Sequence, residues 1–271
     1  MRLVALIGIG IFVALGGSAQ ADTIPGPPSS GGSTGPDRFS IWISLPGAGG
    51  SPAYVSPDDP NGPRPYTYTY VPVGTPGTGI CTTGYGTPGA AYAIVVRDLS
   101  GAIISSEGAC LPISPDGTVD VPDAPEVPTI GEIWRAALRD IDKPVVGINP
   151  RPTGLTGLET WLWYEGPSEL AISTGIGAWT VTGTAYLREI TFDMGDGEPV
   201  TATSPGSATD PATRFVYETK GEYEITITAR WEADLVLSGP GLPGRPTPIG
   251  SAVLRSTETY PVQEVRSLLV G

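Results

Sequence analysis

From Gly221 onward the chain alternates: Tyr223, Ile225, Ile227 and Ala229 fall on one face, and Glu222, Glu224, Thr226 and Thr228 on the other. Successive side chains of a strand point to opposite faces, so this stretch reads as one strand of an antiparallel sheet with one face buried. Upstream stands Asp193-Met-Gly-Asp-Gly197. Its two glycines reach backbone conformations closed to other residues, and its aspartates can accept hydrogen bonds from nearby amides. Those five residues read as a tight turn that ends a strand.

Three motifs in order carry a resemblance. The first is Asp193, Gly195, Asp196 and Gly197, the second Tyr217, and the third Gly221, Tyr223, Ile225 and Ile227. The arrangement resembles the PKD domain, an immunoglobulin-like β-sandwich of extracellular and cell-surface proteins, with its W-D-F-G-D-G turn, its H-x-Y and its P-G-x-Y-x-V-x-L-x-V strand. Phe192 stands where the tryptophan is usual, Met194 replaces phenylalanine, Phe215 replaces histidine and Lys220 replaces proline. The resemblance implies a turn-shaping and strand-register role for the seven residues Asp193, Gly195, Asp196, Gly197, Tyr217, Gly221 and Tyr223. Tyr223 sits where a tyrosine corner would hold the crossing between two sheets. Outside these motifs, Thr153-Gly-Leu-Thr-Gly-Leu-Glu-Thr-Trp-Leu-Trp163 is similar to a segment of uncharacterised actinobacterial secreted proteins.

The N-terminus reads as an export signal. Arg2 supplies the positive start, Leu3 to Gly17 the apolar run, and Ala19-Gln20-Ala21 the cleavage pattern. The run is short for a membrane span, which needs about 20 apolar residues. Export puts the chain in an oxidising compartment, where Cys81 and Cys110 are expected to pair. Between them Tyr92–Arg97 and Gly101–Ser105 form an expected hairpin, and a bond across its base is the natural geometry.

Composition removes several function classes. There is no histidine, so Ser-His-Asp triads, Cys-His pairs and histidine-bearing metal sites are impossible. Lysine occurs only at 143 and 220, and no phosphate-binding glycine loop of the Walker type is present. A net charge of −13 is opposite to what nucleic acid binding needs. Carboxylate chemistry survives.

The expected organisation is a signal peptide at 1–21 and a disordered tether at 22–39. A Pro/Gly-rich β region with the disulfide and one helix follows at 40–144, and a PKD-like β-sandwich at 145–271. The chain holds 38 Gly and 30 Pro, crowded into its first third, where they interrupt helix and central strands. Short strands are expected at Ser40–Leu45 and Tyr66–Val71, the second with Tyr66, Tyr68 and Tyr70 on one face. That stripe is either a core wall or a binding face. Thr129 and Glu132 form a capping box for a helix over Ile130–Asp140. Eight strands are expected beyond it: Val145–Ile148, Thr160–Tyr164, Leu170–Ser173, Trp179–Tyr186, Glu189–Asp193, Arg214–Tyr217, Tyr223–Leu237 and Ala252–Val265. A long loop, Ser238–Ser251, separates the last two.

Three chemistries compete. Asp193 and Asp196 are the carboxylate pair for glycoside hydrolysis, though in one turn they lack a cleft. Calcium is the only cofactor in view: Asp58 and Asp59, or Asp193 and Asp196, are candidate ligands, and neither cluster offers the six to eight oxygens a hard cation takes. Trp161 and Trp163 share a face, with Trp179 and Trp231 expected nearby, and an exposed aromatic platform would stack on sugar rings. Burial in the core is the other reading. The expectation is a mostly β, non-catalytic, secreted or envelope-associated protein that contacts an extracellular protein or acts as a spacer. The alternative is a module that binds cell-wall polysaccharide.

Overall fold

The computed structural model describes residues 38–43, 53–56, 58–74, 80–139 and 143–265. The expected leader and residues 22–37 of the expected tether lie outside them. The described chain is mostly β. It runs β1 (Arg38–Ile43), β2 (Ala53–Val55), β3 (Tyr66–Pro72), β4 (Ile80–Thr82), β5 (Pro88–Asp98) and β6 (Ile103–Pro112), then a single helix, α1 (Ile130–Ala137). There follow β7 (Val145–Asn149), β8 (Gly154–Leu155), β9 (Glu159–Glu165), β10 (Glu169–Ile176) and β11 (Trp179–Asp193). Last come β12 (Val200–Ala202), β13 (Thr213–Val216), β14 (Gly221–Gly239), β15 (Leu242–Thr247) and β16 (Ser251–Gln263).

Three sheets result. The largest has the order β10-β11-β14-β16-β1-β2, with β12, β15 and β8 attached to β11, β14 and β16. A second is β13-β9-β7, and a third holds β3, β4, β5 and β6. The apolar face of β14 lies inward as expected, with Ile225, Ile227, Ala229, Trp231, Leu235 and Leu237 all buried, while Thr226, expected on the polar face, is buried too. In β11 the buried positions are Trp179, Val181 and Ala185, then Ile190 and Phe192. The phase changes because the pairing with β14 slips between Leu187 and Glu189. An extra residue there keeps both apolar sets on the core side. The two strands expected at Trp179–Tyr186 and Glu189–Asp193 are therefore one bulged strand.

One core joins the elements. Tyr66 and Val96 from the third sheet, Ile130 and Trp134 from α1, and Leu162, Phe192, Ile225 and Trp231 from the other two sheets belong to the same buried cluster. Burying each such side chain contributes about 1.5–3 kcal/mol, which sets against the entropy of ordering so many glycines.

Three expectations are corrected. The helix stops at Ala137 rather than Asp140, with Leu138 donating its N–H to the Trp134 carbonyl. It packs against β10 and β11. The expected loop 238–251 is mostly strand, because β14 continues to Gly239 and turns back at once into β15, paired from Gly239↔Leu242 to Leu235↔Thr247. Arg38 and Phe39, expected in the tether, lie in β1, which pairs with β16.

The disulfide is present between Cys81 and Cys110, 29 residues apart. It does not close the base of the β5–β6 hairpin alone. Cys81 lies on β4 and Cys110 on β6, and both strands pair with β5. The bond passes over Gly89, where an added Cβ would lie 2.7 Å from Cys110 Sγ and 2.6 Å from the Leu111 carbonyl oxygen. A side chain at 89 and the disulfide cannot share that space.

Candidate functional site

The Asp193–Gly197 turn is held from two sides. Asp193 Oδ1 accepts from the Gly195 N–H at 3.0 Å, and Gly195 and Gly197 have φ of +71° and +95°. Such angles strain any residue with a Cβ. From the other side the buried Tyr217 hydroxyl donates to the Met194 carbonyl at 3.1 Å. Tyr217 packs against Phe215, Tyr223 and Tyr260 with ring centroids 4.8, 4.3 and 6.0 Å away. The Tyr223 hydroxyl donates to the Thr219 carbonyl at 2.8 Å. Burial drives the Tyr217 pKa well above that of an ordinary phenol, with the neighbouring Tyr260 and Tyr223 adding to the effect.

The acidic candidates are occupied locally. Asp58 pairs with Arg135 at 2.7 Å, and Asp59 Oδ1 accepts from the Asn61 N–H at 2.9 Å. Among the described residues no three acidic or cysteine side chains converge as a metal site would require. Asp193 and Asp196 line none of the clefts at Tyr186–Ser251, Lys220–Glu264 and Tyr66–Pro248.

The tyrosine stripe is a fastening. Tyr66 is buried and its hydroxyl donates to the Pro246 carbonyl at 2.9 Å. Tyr68 donates to the Pro240 carbonyl at 2.9 Å and meets the Trp179 ring edge-on at 6.1 Å. Burial, with Tyr66 beside it, pushes the Tyr68 pKa up to about 12. Tyr70 is half-buried farther along the strand. The stripe thus docks β3 on the β14–β15 hairpin.

Trp161 and Trp163 are the candidate pair that reaches solvent. On β9 the residues Thr160, Leu162 and Tyr164 are buried, while Trp161 and Trp163 are half-buried on the opposite face. Trp161 is braced at both ends. Its Nε1 donates to Glu159 Oε2 at 3.0 Å, and the Arg214 guanidinium lies 4.9 Å from its ring centre and 3.5 Å from the same carboxylate. Trp163 lies against the backbone of Gly147, which has no Cβ to meet the indole. Trp179 and Trp231 do not join them. Both are buried, and Trp179 Nε1 donates to the Glu126 carbonyl at 2.8 Å.

Sequence reasoning passed over Arg214 and Gly147, because cross-strand partners are set by register between β13, β9 and β7. It also passed over a cleft of about 360 Å³ lined by Tyr186, Arg188, Arg230, Glu232, Asp234 and Ser251. There Arg188 and Arg230 share the Glu232 carboxylate at 3.3 and 3.0 Å. The bulge that brings Arg188 to them was not legible in the sequence.

No helix among the described residues is long and apolar enough to cross a membrane. Comparison with known proteins returns nothing to set beside these features: no family model, no curated protein and no solved structure matches the chain.

Proposed function

We propose that the chain is a non-catalytic secreted or cell-surface protein whose C-terminal half is a PKD-like, immunoglobulin-type sandwich. It serves as an extracellular interaction or spacer module. The observation that carries this reading is the use of the turn motif: Asp193 caps Gly195, and the Tyr217 hydroxyl holds Met194. Asp193, one of the two carboxylates that invite a catalytic story, is spent on turn formation. The neighbouring order of β11, β14 and β16, with β9 and β13 in another sheet, suits a two-sheet sandwich. The test is retention of envelope proteins on the immobilised chain at several salt concentrations. A retained partner that is unaffected by Asp196→Asn is expected, and recovery of none at any salt argues against the interaction role. A glycoside hydrolysis that disappears in a folded Asp196→Asn variant would replace the reading with a hydrolase.

A second reading rests on Trp161 and Trp163, which present two indoles on one outer face with Glu159 beside them. Flat aromatic faces beside hydrogen-bonding groups suit a neutral polysaccharide. Titration with soluble cell-wall glycans should quench tryptophan emission, and Trp161→Ala should weaken binding by about tenfold, or about 1.4 kcal/mol. An unchanged emission spectrum at saturating glycan removes this reading.

A further inference from the structure

Tyr186, Glu232 and Ser251 stand side by side across β11, β14 and β16 in the lining of the cleft of about 360 Å³. Arg230 and Asp234 flank Glu232 at the alternate positions of β14, so the three leave one face of the strand, opposite the buried Trp231 and Leu235. The register slip between Leu187 and Glu189 adds Arg188 to them. Bulges re-aim side chains in this way and are frequent beside active sites.

The charges lining the cleft balance, Arg188 and Arg230 against Glu232 and Asp234, but they are not all spent on one another. Glu232 takes one nitrogen from each arginine, Arg188 Nε at 3.3 Å and Arg230 Nη1 at 3.0 Å. Among the described residues the other guanidinium N–H groups of both have no acceptor. Arg230 Nε is buried without a partner, a costly state for a polar atom. Asp234 is exposed and has no ion pair among the described residues. Unspent donors thus stand at one end of the Arg230–Asp234 run and an unspent carboxylate at the other.

We propose that this cleft binds a free α-amino acid with an apolar side chain, as its zwitterion. The α-carboxylate takes the spare donors of Arg188 and Arg230, and the α-ammonium sits between Glu232 and Asp234, whose positions are about 7 Å apart along the strand. Charge selects the ligand. A simple anion would meet Glu232 and Asp234 and the repulsion of a chain carrying −13. A phosphate would add negative charge at the same place. A simple cation would leave the guanidinium donors unmet. A zwitterion has no net charge for the field to repel, and it answers both unspent signs. Tyr186, Ala233 and Pro248 supply apolar surface for its side chain. The volume is that of a site for a small molecule.

Calorimetric titration of the full chain with leucine tests this, beside leucinamide, which lacks the carboxylate, and 4-methylpentanoate, which lacks the ammonium. Leucine should bind with a Kd of about 1 mM or tighter, and each analogue at least about tenfold more weakly. Arg188→Gln and Asp234→Asn should each weaken leucine about tenfold. Both side chains reach solvent, so the variants should melt with the parent, and a melting scan verifies that. Absence of leucine binding at about 10 mM overturns the proposal. So does leucinamide binding as tightly as leucine, which is attraction of a cation to an acidic surface. Folded Arg188→Gln and Asp234→Asn variants that bind leucine like the parent overturn it as well.

Discussion

At Tyr217 a buried phenol donates to the Met194 carbonyl while three aromatic rings close around it. Tyr217→Phe keeps the packing and leaves that carbonyl without its donor. It should cost about 1–2 kcal/mol, read as a lower urea midpoint at unchanged slope. Gly89 is the other residue whose identity is dictated by a neighbour. Gly89→Ala drives a methyl group toward the disulfide and a backbone carbonyl, neither of which can yield easily. A loss of about 1–3 kcal/mol is expected in the same measurement. Gly84→Ala, whose Cβ would meet nothing within 4 Å, should be nearly silent beside it. The turn chemistry at Asp193 was legible because Asx and glycine preferences act over two or three residues. The space above Gly89 was not, since three strands define it.

Among the elements, α1 shows how a short helix is specified locally. The Glu132 N–H donates to Thr129 Oγ1 at 3.1 Å, and the Thr129 N–H donates to Glu132 Oε2 at 2.7 Å. Thr129→Ala should lower stability by about 1–2 kcal/mol, since Thr129 is buried and water cannot replace the lost bond. β11 makes the opposite point. Its core phase depends on one extra residue at the bulge, so deleting Arg188 should turn Ile190 and Phe192 outward and abolish a cooperative unfolding transition. Arg188→Ala, which keeps the spacing and alters a half-exposed side chain, should stay within about 0.5 kcal/mol of the parent. Circular dichroism melts of the two variants separate spacing from side chain. Reading the strand as two pieces came from that same phase change, because periodicity alone cannot tell a bulge from a break.

For the whole molecule, the buried tyrosines couple stability to alkali. Burial pushes Tyr68 and Tyr164 up to about 12 and raises Tyr217 and Tyr260 as well. The folded chain therefore holds its phenolic protons more tightly than the unfolded chain, whose tyrosines titrate near the ordinary value of about 10. The stabilisation is complete below pH 10 and is lost as the pH rises through the folded values. The melting temperature should be flat in pH up to about 10 and fall steeply toward 12. In Tyr217→Phe the fall should be shallower. Cross-linking acts on the same scale. Cys81→Ser with Cys110→Ser opens a loop of 29 residues and should cost about 3–4 kcal/mol in the chain-entropy model.

Alternation, turn residues, the capping box and two lone cysteines are local or compositional signals. From them the sequence by itself determined a mostly β chain, the inward face of β14, the Asp193 turn, the start of α1 and a Cys81–Cys110 bond. Only the tertiary structure decided which strand lies beside which. It set β1 against β16, α1 against β10 and β11, and Arg214 against Trp161. It also gave the Tyr66 hydroxyl to a carbonyl 180 residues away. The reason is physical. Every strand offers the same backbone donors and acceptors, so its neighbour is selected by side-chain fit across the whole core, and no single segment carries that information.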